Sequence, residues 1–115
     1  MKAPVSEMDD AKYSVHITER CYNALEKHIS FIANVSVTAA ENFRNEFIET
    51  ANGLKVFPEK NVVVRLIIAP DLTYHRAMIG KYHAILYEIQ GKDVYVDLVV
   101  DLRQNNQISS PILIT

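Results

Sequence analysis

The 115-residue chain contains one cysteine, no tryptophan and three glycines. The single cysteine, Cys21, excludes an internal disulfide and supplies no thiol pair for a zinc site. No apolar run approaches the roughly 18 residues of a membrane helix. The polar N-terminus, MKAPVSEMDDAK, also lacks the apolar segment of a secretory signal. These absences predict a cytoplasmic protein without a membrane partner.

The chain also lacks an excess of basic residues. It has 12 Lys and Arg against 14 Asp and Glu, which gives a formal net charge of −2. Proteins that hold nucleic acid through phosphate contacts usually carry a basic excess. A nucleic-acid role would therefore depend on a local patch. The 49% hydrophobic and 23% charged content is typical of an ordinary globular domain.

The first half of the chain predicts a short strand and two helices. Residues 1–12 have little apolar pattern and are interpreted as a flexible N-terminal arm, whereas residues 13–17 alternate as a strand does. Thr18 can then cap a helix through its hydroxyl. The apolar stripe of this helix comprises Cys21, Leu25, Ile29 and Ile32.

A second helix is predicted to begin at Ser36 or at Thr38, where TAAE has the spacing of a capping box. It ends between Gly53 and Pro58. The short connection between the two helices predicts an antiparallel helical hairpin. The apolar stripe of the second helix comprises Ala40, Phe43, Phe47, Ala51 and Leu54.

From residue 61 onward the chain is rich in β-branched residues. A strand is predicted over residues 62–68, followed by a turn at Ala69-Pro70-Asp71. Three more strands are predicted over residues 74–79, 82–89 and 93–102. Their short connections indicate an antiparallel β-meander. The predicted fold is therefore α+β, with the helical hairpin on one face of the sheet. A single domain spans residues 13–106, and residues 107–115 form a C-terminal tail.

The last predicted strand presents two different faces. Its even-numbered residues from 94 to 102 are all aliphatic, and we expect them to share the face that packs on the helices, because exposing apolar area costs about 25 cal/mol per Å². The face of His83 depends on the loop between the strands predicted over residues 82–89 and 93–102. A loop of two or four residues places His83 on the face of the helices, whereas a three-residue loop places it on the opposite face. His83 then has two interpretations: a structural histidine at the edge of the core, or a residue with a chemical role.

The same counting across the Gly80-Lys81 turn places Arg76 on the face of His83. A fully buried, unpaired arginine is very unfavourable. Arg76 is therefore expected at the rim of the sheet, beside an acidic partner, or redirected by a bulge. The sequence leaves these alternatives open.

Four segments together resemble RelE/ParE-type toxins of type II toxin–antitoxin, or plasmid stabilisation, modules. Residues 36–40 (SVTAA) and 54–59 (LKVFPE) are similar to the start and end of the family's second helix. Residues 75–89 (HRAMIGKYHAILYEI) resemble its arginine strand and the following Y-x-x-x-Y strand. Residues 101–105 (DLRQN) are similar to its closing strand. The resemblance spans residues 13–106 in the expected order.

This resemblance implies a growth-inhibiting toxin that a small antitoxin neutralises. Members of the RelE branch cut messenger RNA on the ribosome, and members of the ParE branch inhibit DNA gyrase. The resemblance implies no cofactor and no metal. The leading interpretation is ribosome-dependent cleavage of mRNA, with gyrase inhibition as the alternative. A third alternative is a non-toxic, repurposed protein-binding module, with a possible homodimer formed through the apolar tail.

The resemblance also implies the catalytic residues. The family's strand arginine falls on Arg76 and its terminal arginine on Arg103, where they would stabilise charge on the phosphate. His83 stands where the RNA-cutting branch often has arginine. A histidine can transfer protons near neutral pH, but it does not bind phosphate in the bidentate manner of arginine. The late tyrosine or histidine of that branch is absent from residues 104–115.

The candidate substrate-binding residues are His75, Lys81 and Tyr87, with His75 as an alternative acid–base group. Each candidate also has a structural interpretation. The two arginines can form ordinary ion pairs with Asp97, Asp101 or Glu88. The tyrosine is compatible with a core position, and Lys81 with a solvated turn.

Overall fold

The computed structural model describes residues 12–66, 69–103 and 112–113. The predicted arm over residues 1–12, apart from Lys12, lies outside the described residues, as does the predicted tail over residues 107–115, apart from Ile112 and Leu113. In chain order, the elements are β1 (Ser14–Ile17), α1 (Glu19–Ala33), α2 (Val37–Gly53), a 3₁₀ turn (Pro58–Lys60), β2 (Val63–Leu66), β3 (Ala69–Ile79), β4 (His83–Gln90), β5 (Asp93–Asp101) and β6 (Ile112–Leu113).

Both helices begin at a capping side chain. The Thr18 hydroxyl accepts a hydrogen bond from the Cys21 backbone N–H at 3.1 Å, as predicted. The Ser36 hydroxyl accepts one from the Ala39 N–H at 3.0 Å, so α2 begins at Ser36 rather than at Thr38. No helix in the described part of the chain is long and apolar enough to cross a membrane.

The strands form one six-stranded sheet with the order β1-β5-β4-β3-β2-β6. Strands β2 to β5 form the predicted antiparallel meander. Strand β1 joins the outer edge of β5 in parallel. Ile112 and Leu113 of β6 pair with Val64 and Arg65 at the other edge. The α+β prediction is confirmed.

The helical hairpin covers one face of this sheet. The apolar stripes of both helices are buried against strand residues that include Ala77, Ile79, Ile85, Tyr87, Val94, Val96 and Val99. The opposite face carries a second buried cluster, formed by Val64, Leu66, Tyr74, Ala84, Leu86 and Val100. Both faces of the central strands are therefore apolar.

A β-bulge at Asp97 divides β5 between the two faces. Tyr87 pairs with Val96 but Leu86 pairs with Leu98, so Asp97 is an extra residue on β5. A bulge of this kind reverses the alternation of the residues that follow. The prediction of one aliphatic face from residue 94 to residue 102 is thus wrong. Val94 and Val96 face the helices, and the later even-numbered residues face away.

The loop between β3 and β4 has three residues, Gly80 to Tyr82, instead of the predicted two. Ile79 pairs with His83, and Arg76 pairs with Leu86. His83 therefore faces the helices, as predicted, but Arg76 lies on the opposite face, and its predicted placement with His83 is wrong. Gly80 has a φ of +63°, which glycine adopts without strain.

The predicted turn at Ala69-Pro70-Asp71 is part of β3 instead. Leu66 pairs with Ala69 and Arg65 pairs with Thr73, so the strand register shifts between these pairs. Pro70 lies in this irregular stretch. Its missing N–H is tolerated there because the regular ladder is interrupted.

Candidate functional site

A cleft of about 240 Å³ lies between helix α1 and the end of the sheet where β4 begins and β5 ends. Helix α1 contributes Lys27, His28, Phe31 and Ile32, and the sheet contributes His83, Asp101 and Arg103. Two predicted catalytic residues, His83 and Arg103, therefore meet at one site. The cleft presents imidazole, carboxylate, guanidinium and ammonium groups together.

Asp101 is the central charged group of this cleft. Its carboxylate accepts hydrogen bonds from Nε and Nη2 of Arg103 at 3.0 and 2.9 Å, and from the Arg103 backbone N–H at 2.9 Å. This bidentate contact lowers the pKa of Asp101 to about 2. The Arg103 guanidinium also lies 4.6 Å from the centre of the Tyr82 ring.

His83 packs between aromatic rings and this carboxylate. Its ring is 4.6 Å from Phe43 and 5.6 Å from His28, both in edge-to-face geometry. Its Nε2 atom is 3.7 Å from Oδ2 of Asp101. Burial lowers the pKa of His83, and Asp101 opposes this shift. The side chain is 15% exposed, so the ring remains accessible from the cleft.

His28 is the second imidazole of the cleft. Burial lowers its pKa as well, against the opposing effects of Asp101 and of a contact with the Val99 backbone. Burial thus favours the neutral imidazole at both positions, and the Asp101 carboxylate favours the protonated one. Such a pair can accept and donate protons in the physiological range.

Arg76 is not part of this cleft. It lies across from Leu86 on the opposite face of the sheet. Its Nε atom is buried and has no hydrogen-bond partner among the described residues. The structure thus separates the two predicted catalytic arginines, Arg76 and Arg103.

Two predicted substrate-binding residues lie in packed surroundings away from the cleft. Tyr87 is fully buried, donates a hydrogen bond to the Pro58 carbonyl at 2.6 Å and accepts one from Asn61 at 2.9 Å. The ring of His75 stacks on that of Tyr87, with 5.4 Å between centroids. Burial lowers the pKa of His75, and nearby Glu59 opposes the shift. In this conformation the Tyr87 hydroxyl is unavailable to a substrate.

Lys81 lies exposed in the turn between β3 and β4, next to Tyr82, and does not itself line the cleft. The Tyr82 carbonyl accepts a hydrogen bond from the Leu102 N–H at 2.6 Å, which joins this turn to the end of β5. Lys81 can therefore add positive charge near Arg103. Cys21 is buried in the core, and burial raises its pKa to about 12, as expected for a structural thiol.

Sequence reasoning missed His28 and Lys27, whereas the pairing of Arg103 with Asp101 was one of its stated alternatives. His28 follows Leu25 by three residues and precedes Ile32 by four, so helical spacing already places it beside the buried stripe. Asp101 and Arg103 are two residues apart at the end of a strand, which puts both on one side. No group of three metal-ligating side chains occurs among residues 12–66 and 69–103.

The two-layer arrangement of a helical hairpin on a meander sheet defines a RelE/ParE-type α+β fold. A solved structure with this arrangement is the "Chromosomal ParDE TA system from P. aeruginosa". One of its chains matches with a TM-score of 0.63 and 11% sequence identity, over 80% of this chain and 98% of that one. No protein-family model and no curated protein matches the chain. The structural likeness establishes the fold that the sequence resemblance implied.

Proposed function

We propose that the chain is the toxin subunit of a type II toxin–antitoxin pair and arrests growth by cutting ribosome-bound messenger RNA in the cytoplasm. The similarity to a chain of a ParDE TA system supports the toxin–antitoxin assignment. The observation that carries the RNA-cutting activity is the cleft in which His28, His83, Lys27 and Arg103 converge. RNA cleavage needs proton transfer and cationic groups beside the phosphate, and this cleft supplies both.

Arg103 is the phosphate-binding group of this proposal. Its guanidinium is 57% exposed and lies at the cleft, although Asp101 occupies two of its donors. A phosphate therefore has to share or displace that carboxylate. Lys27 and Lys81 add positive charge around it, which offsets the overall charge of −2.

Inhibition of DNA gyrase is the second candidate function. Two observations favour it: the matching structure is a ParDE system, and Arg76 and Arg103 lie on different faces, so they do not form a two-arginine clamp. A gyrase inhibitor needs a protein-binding surface rather than an acid–base pair. The third candidate, a repurposed protein-binding module, would have the same fold but would not inhibit growth.

The proposed partner is a small antitoxin, consistent with the paired system of the matching structure. A homodimer through the apolar tail is a weaker proposal. Ile112 and Leu113 already pair with the outer edge of β2 in the same chain. Pairing of two tails would have to replace that contact or extend beyond it.

Induced expression in bacteria, with mapping of mRNA 5′ ends and an SOS reporter, tests these functions. We expect growth arrest and new mRNA 5′ ends within codons at the ribosomal A site. Arg103→Ala should reduce these cuts at least about tenfold, as loss of a charged contact of about 1.5–3 kcal/mol implies. Arg76→Ala is the matched control on the other face and should retain the cuts.

Other outcomes of the same experiment reject the RNA-cutting proposal. SOS induction without new 5′ ends would assign the protein to the gyrase branch. Unimpaired growth with confirmed accumulation of folded protein would contradict both toxin functions. Co-expression with a short protein encoded beside the gene should restore growth if that protein is the antitoxin.

A further inference from the structure

The two imidazoles of the cleft come from different layers of the fold. His28 lies on α1, and His83 is the first residue of β4. Their ring centroids are 5.6 Å apart, and both side chains border the same 240 Å³ cleft. Phe43 of α2 packs on the His83 ring at 4.6 Å, which fixes the position of that ring.

The two rings have different electrostatic surroundings. His83 has the Asp101 carboxylate 3.7 Å from Nε2, and this negative charge stabilises a protonated ring. Asp101 also raises the pKa of His28, but none of the ion pairs among the described residues involves His28. His83 is therefore the better holder of a proton, and His28 the better acceptor.

We propose that His28 is the general base and His83 the general acid of RNA cleavage in this cleft. The substrate is a ribonucleotide strand whose 2′-hydroxyl lies beside His28 and whose scissile phosphate lies beside Arg103 and Lys27. Asp101 is a positioning residue that supports protonated His83. This inference rests on the proposed RNA-cutting function and names the groups that perform it.

The chemistry balances without any metal or co-reactant. His28 removes the proton of the 2′-hydroxyl, and the 2′-oxygen forms a bond to phosphorus. The bond between phosphorus and the 5′-oxygen breaks, and that oxygen takes a proton from His83. The products are a 2′,3′-cyclic phosphate and a free 5′-hydroxyl. Proton exchange with water then restores neutral His28 and protonated His83.

Charged groups from each layer face the pair and shape its pH dependence. Asp101 and Glu46 of α2 favour the protonated form of His83, whereas Arg103 and His28 disfavour it. Lys27 of α1 also borders the cleft. The rate should therefore show a bell-shaped pH profile. It falls at low pH as His28 becomes protonated, which we call the base limb, and at high pH as His83 loses its proton, which we call the acid limb.

The test uses purified full-length protein and ribosomes programmed with an mRNA of defined A-site codon. Single-turnover cleavage rates are compared for the wild type, His28→Gln, His83→Gln and the control His16→Gln. His16 lies exposed on β1, 2.8 Å from Asp93 and outside the cleft. Each cleft variant should lose at least about 100-fold in rate, and the control should remain within about threefold of the wild type.

A modified leaving group distinguishes the two roles. An mRNA with sulfur in place of the scissile 5′-oxygen needs no proton from the protein, because a thiolate leaves without one. This substrate should restore cleavage by His83→Gln but not by His28→Gln. With wild-type protein, the sulfur substrate should lose the acid limb of the pH profile, a result that does not depend on any variant folding. Asp101→Asn should lower the apparent pKa of the acid limb on the natural substrate.

Two results overturn the inference while leaving RNA cleavage intact. One is cleavage by both glutamine variants within about threefold of the wild type. The other is an unchanged acid limb for wild-type protein on the sulfur substrate. If wild-type protein cuts no natural mRNA at all, the proposed function itself fails. A 2′-deoxy nucleotide at the cleavage site must abolish cutting in every case.

Discussion

At the scale of single residues, Asp101 controls the charge of the cleft. It accepts three hydrogen bonds from Arg103 and lies 3.7 Å from His83. The low pKa of about 2 keeps this carboxylate ionised at any physiological pH. Arg103 is thus held in place before substrate arrives, and its positive charge is partly neutralised. For the proposed phosphate contact, this means that Arg103 is preorganised but has less free positive charge.

The three half-buried histidines predict that the fold is less stable in mild acid. Burial lowers the pKa values of His28, His75 and His83 below the ordinary 6.5, so the unfolded chain takes up protons that the folded chain does not. Their contribution to stability is complete above about pH 6.5 and is lost as pH falls towards the folded-state pKa values. The thermal midpoint should be lower at pH 5.5 than at pH 7.5.

Thermal unfolding of the double variant His28→Gln/His83→Gln tests whether these histidines cause the pH dependence of stability. The double variant should show a smaller change in midpoint between the two pH values than the wild type. The carboxyl of Asp101 titrates far below this window. An equal change in the two proteins would show that the pH dependence arises elsewhere.

Tyr87→Phe tests the structural interpretation of a residue first predicted to bind substrate. The substitution removes the hydroxyl that bonds the Pro58 carbonyl and the Asn61 amide. We expect a loss of about 1–2 kcal/mol in the free energy of unfolding, because a buried carbonyl is left unpaired. Urea denaturation measures this loss.

The control is Tyr22→Phe, at a half-exposed position on α1. Its stability should remain within about 0.5 kcal/mol of the wild type. Growth inhibition by folded Tyr87→Phe should equal that of the wild type. Loss of toxicity with unchanged stability would instead indicate that Tyr87 binds substrate, as first predicted.

At the scale of elements, helix caps and apolar stripes were predictable but strand faces were only partly so. The length of the loop after Gln90, which has two residues, was left open by the sequence, whereas Thr18 and the two stripes follow from local patterns. The bulge at Asp97 does not, because a long-range network holds it. The Asp97 carboxylate accepts hydrogen bonds from Tyr74 at 2.8 Å, from Thr18 at 3.2 Å and from Arg20.

The position of Arg76 shows the consequence of one loop residue. A three-residue loop after Ile79 moves every side chain of β3 to the opposite face relative to the predicted register. Nothing in the sequence GKY distinguishes a two-residue from a three-residue connection. The separation of Arg76 from Arg103 therefore could not be predicted, whereas the location of Arg103 at a strand end could.

Two glycine substitutions test the backbone assignments at this scale. Gly91 has a φ of +63° in the turn between β4 and β5, so Gly91→Ala should cost about 1 kcal/mol in the free energy of unfolding. Gly53, at the end of α2, has no atom within 4 Å of an added Cβ. Gly53→Ala should therefore stabilise the fold by about 0.5 kcal/mol. Urea denaturation of both variants measures the change in the free energy of unfolding, which should have opposite signs in the two variants. Two changes of the same sign would contradict the assigned turn or helix end.

At the scale of the whole molecule, the fold class was predictable and the site was not fully so. The order of strand, helical hairpin and meander follows from periodicity, and the α+β architecture was correct. The cleft forms only when α1 packs against the end of β5, and the lining residues of these two segments are 69 to 76 positions apart. His28 gains its significance from this packing. A sequence pattern alone assigns it to the flank of a helix.

The most direct test of the RNA-cutting proposal is the order in which macromolecular synthesis stops after induced expression. Pulse labelling with radioactive methionine and thymidine measures protein and DNA synthesis in the same culture. If the protein cuts ribosome-bound mRNA, methionine incorporation should fall within minutes while thymidine incorporation continues. An early arrest of thymidine incorporation with protein synthesis intact would contradict the proposal and favour gyrase inhibition.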